Sequence, residues 1–82
     1  MDPYQEKVAA IVRDAVELIQ THRERRELSH EELAKKAKIA RTSAYNLKVG
    51  ATKRPSMGMI VRLWLVLEIP PEELAEIIRR RG

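Results

Sequence analysis

Cysteine is absent from this sequence of 82 residues. That absence removes disulfide frameworks, zinc sites of the Cys type and thiol nucleophiles together, and it fits a reducing cytoplasm. No apolar run approaches the roughly 18 residues of a membrane span, and no signal peptide precedes the first helical segment, so a cytoplasmic location is expected. Glycine is scarce, at 3 residues, and none of it forms a loop of the kind that cradles phosphate. Neither His22 nor His30 has a serine and an acid at catalytic spacing, and His22 lacks companions at metal-ligand spacing. No enzyme chemistry, metal site or cofactor is therefore expected. The carboxylate pairs Glu31/Glu32 and Glu72/Glu73 fall in the first turns of predicted helices, where they complement the helix dipole. Internal repeats, low-complexity segments and alternating strand patterns are all missing, which leaves an all-α reading.

What is present describes one folded domain over residues 1–82, with 44% hydrophobic and 34% charged residues. A chain this short buries only about 60% of the surface its unfolded form exposes, and dimerisation is one way to gain more. The net charge of +4 and pI near 9.8 point toward a polyanionic partner.

Asp2 and Pro3 suit a helix start, the acid as a cap and the proline where a missing N–H goes unnoticed. From Tyr4 to about Arg25, Val8, Ile11, Val12, Ala15, Leu18 and Ile19 keep 3.6-residue spacing and predict a long first helix. Its last turn is cationic, as the negative end of the dipole favours. Ser56 is placed to cap a fourth helix running to about Leu67, whose stripe of Ile60, Leu63, Trp64 and Leu67 is joined by a second of Met59, Leu65, Val66 and Ile69. That helix is apolar over most of its circumference. Pro70 and Pro71 end it and open a fifth helix with the apolar edge Leu74, Ile77 and Ile78.

The centre of the chain is Ser29 to Gly50, two short helices at about 30–37 and 41–49 joined by a tight turn. Ser29 and Glu32 have capping-box spacing. Leu33, Ala34 and Ala37 share one face of the first of these helices, and Ala44 and Leu47 one face of the second, with Ile39 as a plug between them. Lys38 stands where a left-handed residue closes the first helix, and Ala40 brings no capping oxygen to the second, leaving Thr42 or Ser43 to cap it one turn late. The outward face of the second helix is then Arg41, Thr42, Ser43, Tyr45, Asn46 and Lys48, nearly all hydrogen-bond donors. That is the make-up of a helix laid in a DNA major groove.

With LSHEELAKKA, IARTSAYNLKVG, GATKRPS and LWLVLEIPPEEL in place, the chain resembles the helix-turn-helix family of lambdoid phage repressors and Cro proteins, the XRE type, over about Leu18 to Leu74. The resemblance implies a compact, five-helix, lambda-repressor-like DNA-binding domain with a long N-terminal helix. It implies a prokaryotic or phage-encoded regulator of transcription that binds double-stranded DNA. Arg41, Thr42 and Asn46 fall at the family's base-reading positions. Arg41 can donate twice to guanine, Asn46 can bond both ways to adenine, and Thr42 or Tyr45 offers methyl or ring contact to thymine. His30 stands where family members usually carry a Gln that touches phosphate, and Lys53 and Arg54 lie in the loop that approaches the backbone. Lys36, Ser43 and Lys48 complete the expected phosphate contacts.

Departures from the family accompany the match. An Arg corresponding to Arg23 often pairs with a Glu where this chain has Lys48, so Glu24 or Glu27 compensates or Lys48 turns outward to phosphate. Glu27 and Lys38 stand where glycines are common. The apolar excess of the fourth and fifth helices either packs on the first helix or, through Leu74, Ile77 and Ile78, joins two copies into a homodimer on a palindromic operator. An alternative from another class is a protein-interaction module, an antitoxin or polymerase-binding adaptor using helices 57–67 and 71–80, with a toxin or RNA polymerase as partner. A restriction-modification controller is a third reading.

Overall fold

Apolar spacing and local stop signals divide the chain into α1 (Gln5–Arg25), α2 (His30–Ala37), α3 (Arg41–Lys48), α4 (Met57–Leu67) and α5 (Pro71–Arg81). The computed structural model describes residues 2–52 and 54–82, and no strand occurs among them. The Asp2 carboxylate accepts from the Tyr4 amide at 2.8 Å, closing a turn just ahead of α1. Pro3 lies in that turn, so α1 begins at Gln5 without a side-chain cap of its own. Ser56 Oγ accepts from the Met59 amide at 3.1 Å and starts α4 as its sequence suggests. Pro71 occupies the first turn of α5.

The core draws Ile19 from α1, Leu33 and Ala37 from α2, Leu47 from α3, Leu63 and Leu67 from α4, and Ile69 from the link that follows. Leu18, Leu28, Ile39 and Trp64 pack around it, and Trp64 Nε1 donates to the Ile69 carbonyl at 2.7 Å. Helix α2 packs chiefly on α3, α4 on α2 and α1, and α1 on α5. Burial on α1 begins only at Ala15, and Tyr4 and Val8 remain exposed.

Four helices end in the same way. Glu27, Lys38, Gly50 and Glu68 take left-handed backbone angles, with φ of 55°, 57°, 78° and 52°. In each case the next amide reaches the carbonyl five residues back: Leu28 to Arg23 at 3.1 Å, Ile39 to Ala34 at 3.0 Å, Ala51 to Asn46 at 2.8 Å and Ile69 to Trp64 at 3.2 Å. These are Schellman closures. Leu28, Ile39 and Ile69 follow the three strained residues and enter the core, which offsets a cost of roughly 1–2 kcal/mol for each left-handed L-residue. Lys38→Gly is accordingly expected to stabilise the domain by about 0.5–1 kcal/mol, net of the greater unfolded-chain freedom of glycine. A shift of the urea midpoint to higher concentration at constant m-value measures it. An unchanged midpoint would mean that the strain at Lys38 is already relieved.

Candidate nucleic-acid interface

The capping box forms and sets where α2 begins. The Glu32 amide donates to Ser29 Oγ at 3.1 Å, and the Ser29 amide donates to the Glu32 carboxylate at 3.0 Å. The latter bond, supported by the Ser29 side chain, holds the Glu32 carboxyl below the usual carboxylate range. Ala34, Ala37 and Ala44 are all buried and small, so α3 approaches α2 closely across the turn. Helix α3 starts at Arg41 after Ala40, which has extended angles but no oxygen to offer. Thr42 and Ser43 lie inside the helix and do not cap it, contrary to the expectation of a cap one turn late; the first amides of α3 have no side-chain acceptor.

With Ala44 and Leu47 turned inward, helical geometry sends Arg41, Thr42, Tyr45 and Lys48 to the exposed side, with Ser43 and Asn46 half-buried beside them. The first turn of α2 reaches across to this row. The His30 ring meets the Tyr45 ring edge-on, centroids 5.4 Å apart and planes at 61°. Glu31 Oε2 lies 3.5 Å from Arg41 Nη1. His30, expected at phosphate, is thus also a neighbour of the recognition helix.

Arg23 is buried and fully employed without a partner on α3. Its Nη1 donates to the Leu28 carbonyl at 2.8 Å, its Nε donates to Gln20 Oε1 at 2.9 Å, and its Nη2 lies 3.6 Å from Glu24. Of the alternatives left open by the sequence, Glu24 rather than Glu27 is the acid beside it. Lys48 is exposed, and like Lys36 and Arg54 it makes no ion pair among the described residues. Lys53 lies outside the described residues.

Elsewhere the fold is tied by charge. Arg81 grips Asp14 with two bonds, Nε to Oδ2 at 2.8 Å and Nη2 to Oδ1 at 3.2 Å, and the hydrogen bond from Arg81 holds the Asp14 carboxyl below its ordinary range. His22 Nε2 meets Glu73 Oε2 at 2.9 Å, and Arg26 meets Glu68 at 3.1 Å. The groove between α1 and α5 is lined by five acids, Asp14, Glu17, Glu72, Glu73 and Glu76, together with Arg80 and Arg81. Among the described residues no cluster of side chains is placed to hold a metal ion, and no helix is long and apolar enough to cross a membrane.

Two features bearing on function were missed in the sequence. The segment 33–67, which contains α3 and the loop after it, holds half of the Lys and Arg residues and none of the Asp and Glu. Averaging charge over the whole chain hides that segregation. The apolar excess expected on α4 also emerges on a ridge whose members the stripes did not single out together: Met57, Val61 and Leu65, one turn apart, are 76%, 44% and 71% exposed. Of the three α5 residues expected at a dimer contact, Ile77 is 5% exposed and spent inside the chain's own fold, Leu74 is half-buried, and Ile78 is 47% exposed.

A close helix pair whose second member lies in a stretch without acids and turns a donor-rich row outward is the arrangement of a helix-turn-helix DNA-binding protein. A family model described as Helix-turn-helix matches residues 19–74, more than half of the chain. The chain belongs to that family, the Cro and repressor type of DNA-binding transcription regulators. No curated protein and no solved structure matches it.

Proposed function

We propose that this protein is a sequence-specific regulator that lays α3 in the major groove of double-stranded DNA and represses a promoter by occupying a palindromic operator as a homodimer. The observation that carries the reading is the polar row on α3 standing within a segment that has eight cations and no acid. In this reading Arg41, Thr42, Tyr45 and Asn46 address base edges. His30, Lys36, Ser43, Lys48, Lys53 and Arg54 address the phosphates, which fix register without reading sequence. The uncapped amides at the start of α3 add donors of the same kind.

One groove contact binds weakly, and linking two half-sites multiplies affinity. The exposed ridge of Met57, Val61 and Leu65 supplies apolar surface for a two-fold contact between copies, with Ile78 and Leu74 the available part of α5. The recognition helices of such a dimer stand about 34 Å apart.

Selection of bound fragments from random duplex DNA tests this. The expected result is enrichment of a two-fold symmetric sequence whose half-sites are about one helical turn apart, bound with an affinity that falls linearly in log–log against salt. Failure to enrich any sequence, with no salt-sensitive retention on duplex, would overturn the reading.

A further inference from the structure

The only acids adjoining the cationic segment at its N-terminal side are Glu31 and Glu32, and they do different things. Glu32 is committed to the capping box through the Ser29 amide. Glu31 is exposed, and its Oε2 faces Arg41 Nη1 at 3.5 Å, so it puts a negative charge at the edge of the surface proposed to meet a polyanion. The first turn of a helix favours an acid, which accounts for a carboxylate in this turn but not for its contact with the outermost side chain of α3. The neighbouring His30 makes the corresponding contact with Tyr45. Consecutive residues of α2 therefore each contact one exposed side chain of α3.

We propose that Glu31 is a specificity-determining residue of the DNA interface, acting on Arg41; the inference rests on the function proposed above. The ion pair occupies the Nη1 end of the guanidinium, and its Nε and Nη2 donate no hydrogen bond among the described residues. Those two donors form one edge of the planar fork, and they suffice for a bidentate contact to guanine O6 and N7. Glu31 can hold Arg41 while Arg41 reads a base, and the rotamer freedom lost on binding is then partly lost beforehand. Toward random DNA the same pair works in the opposite direction. Binding without sequence preference is carried by cation–phosphate attraction, and Arg41 beside Glu31 presents almost no net charge to a phosphate, while Glu31 itself is repelled. Specificity is a difference between two affinities, and an acid that lowers the non-specific one raises the ratio.

Glu31→Gln, compared with wild type on the selected operator and on random duplex at low salt, tests the proposal. Glu72→Gln, at an exposed first-turn position of α5, serves as the control for net charge. Glu31→Gln should bind random duplex about 3–10-fold more tightly, with a log–log salt slope steeper by about one ion, and gain little or nothing on the operator, so that the ratio of the two affinities falls at least about threefold. Glu72→Gln should leave that ratio unchanged. An equal gain on both duplexes, an unchanged ratio, or a lowered melting temperature as the sole effect would assign Glu31 to bulk charge or to the helix dipole and overturn the inference, with the function intact. A wild-type protein that does not discriminate between the two duplexes would overturn the function proposed above, and this inference with it.

Discussion

Leu63→Ala is expected to remove a large part of the domain's stability, and Leu65→Ala, two residues further along the same helix, very little of it in dilute solution. Leu63 is fully buried among Ile19, Leu33 and Leu67, whereas Leu65 is 71% exposed. Truncating a buried leucine costs about 2–5 kcal/mol, the transfer of the lost methyl groups plus the cavity left behind. A domain of this length has roughly 4–12 kcal/mol of folding stability to lose. Each kcal/mol moves the melting temperature of a small domain by about 4–8 °C, so Leu63→Ala should melt at least about 8 °C lower. Substitution at an exposed position stays within about 0.5 kcal/mol. The pair is informative because the comparison fixes which side of α4 faces inward. It also bears on assembly, since a ridge shared between copies makes the effect of Leu65→Ala grow with protein concentration. Thermal unfolding followed by circular dichroism at two concentrations measures both quantities. Equal losses for the two variants at high dilution would contradict the placement of α4.

Much of the centre of the chain was legible because its determinants are local. The capping box needs only Ser29 and Glu32, three residues apart, and the close α2–α3 contact needs small residues at Ala34, Ala37 and Ala44. Lys38 could be assigned a left-handed conformation from its place between two helices alone. Properties that depend on how far a neighbour extends were not legible. Periodicity puts Val8, Ile11, Val12 and Ala15 of α1 on an apolar register but does not say where its packing partners stop, and only from Ala15 onward does that stripe hold fully buried residues. On α4 and α5 the pattern shows two amphipathic edges without showing which edge the fold consumes, so Ile77 is inside while Leu65 is outside. Contacts made by long side chains between helices are also invisible to spacing arguments. The Arg23 guanidinium settles on the Leu28 carbonyl and Glu24, and Glu31 reaches Arg41, because rotamer and helix crossing bring those atoms together. Segregated charge is a different kind of omission. The lack of acids from Leu33 to Leu67 was readable in the sequence, and a net charge of +4 conceals it.

Asn46→Ala and Arg41→Ala are expected to relax base preference, each at its own position in the half-site, and Arg54→Ala is expected to weaken every duplex alike. A bidentate side-chain contact to a base edge discriminates against the wrong base by about 1–3 kcal/mol, or roughly 5–150-fold. The Asn46 side chain makes no hydrogen bond among the described residues, so its truncation leaves no partner in the fold unsatisfied, and a loss of discrimination reflects the contact with DNA. Arg41 is exposed and, among the described residues, paired only with exposed Glu31, which makes its removal similarly benign for stability. Arg54 is exposed in the loop after α3, where a phosphate contact would add to affinity without adding to sequence choice. Its loss should reduce binding to operator and random duplex by the same factor and lower the log–log salt slope by about one. Affinities of the three variants for the selected operator, for operators changed one base pair at a time, and for random duplex separate these outcomes. A variant at Asn46 that lost operator and random binding equally would be a phosphate contact, which would place the base-reading row elsewhere on α3. A variant at Arg54 that altered preference at a single base pair would extend that row beyond the helix into the loop.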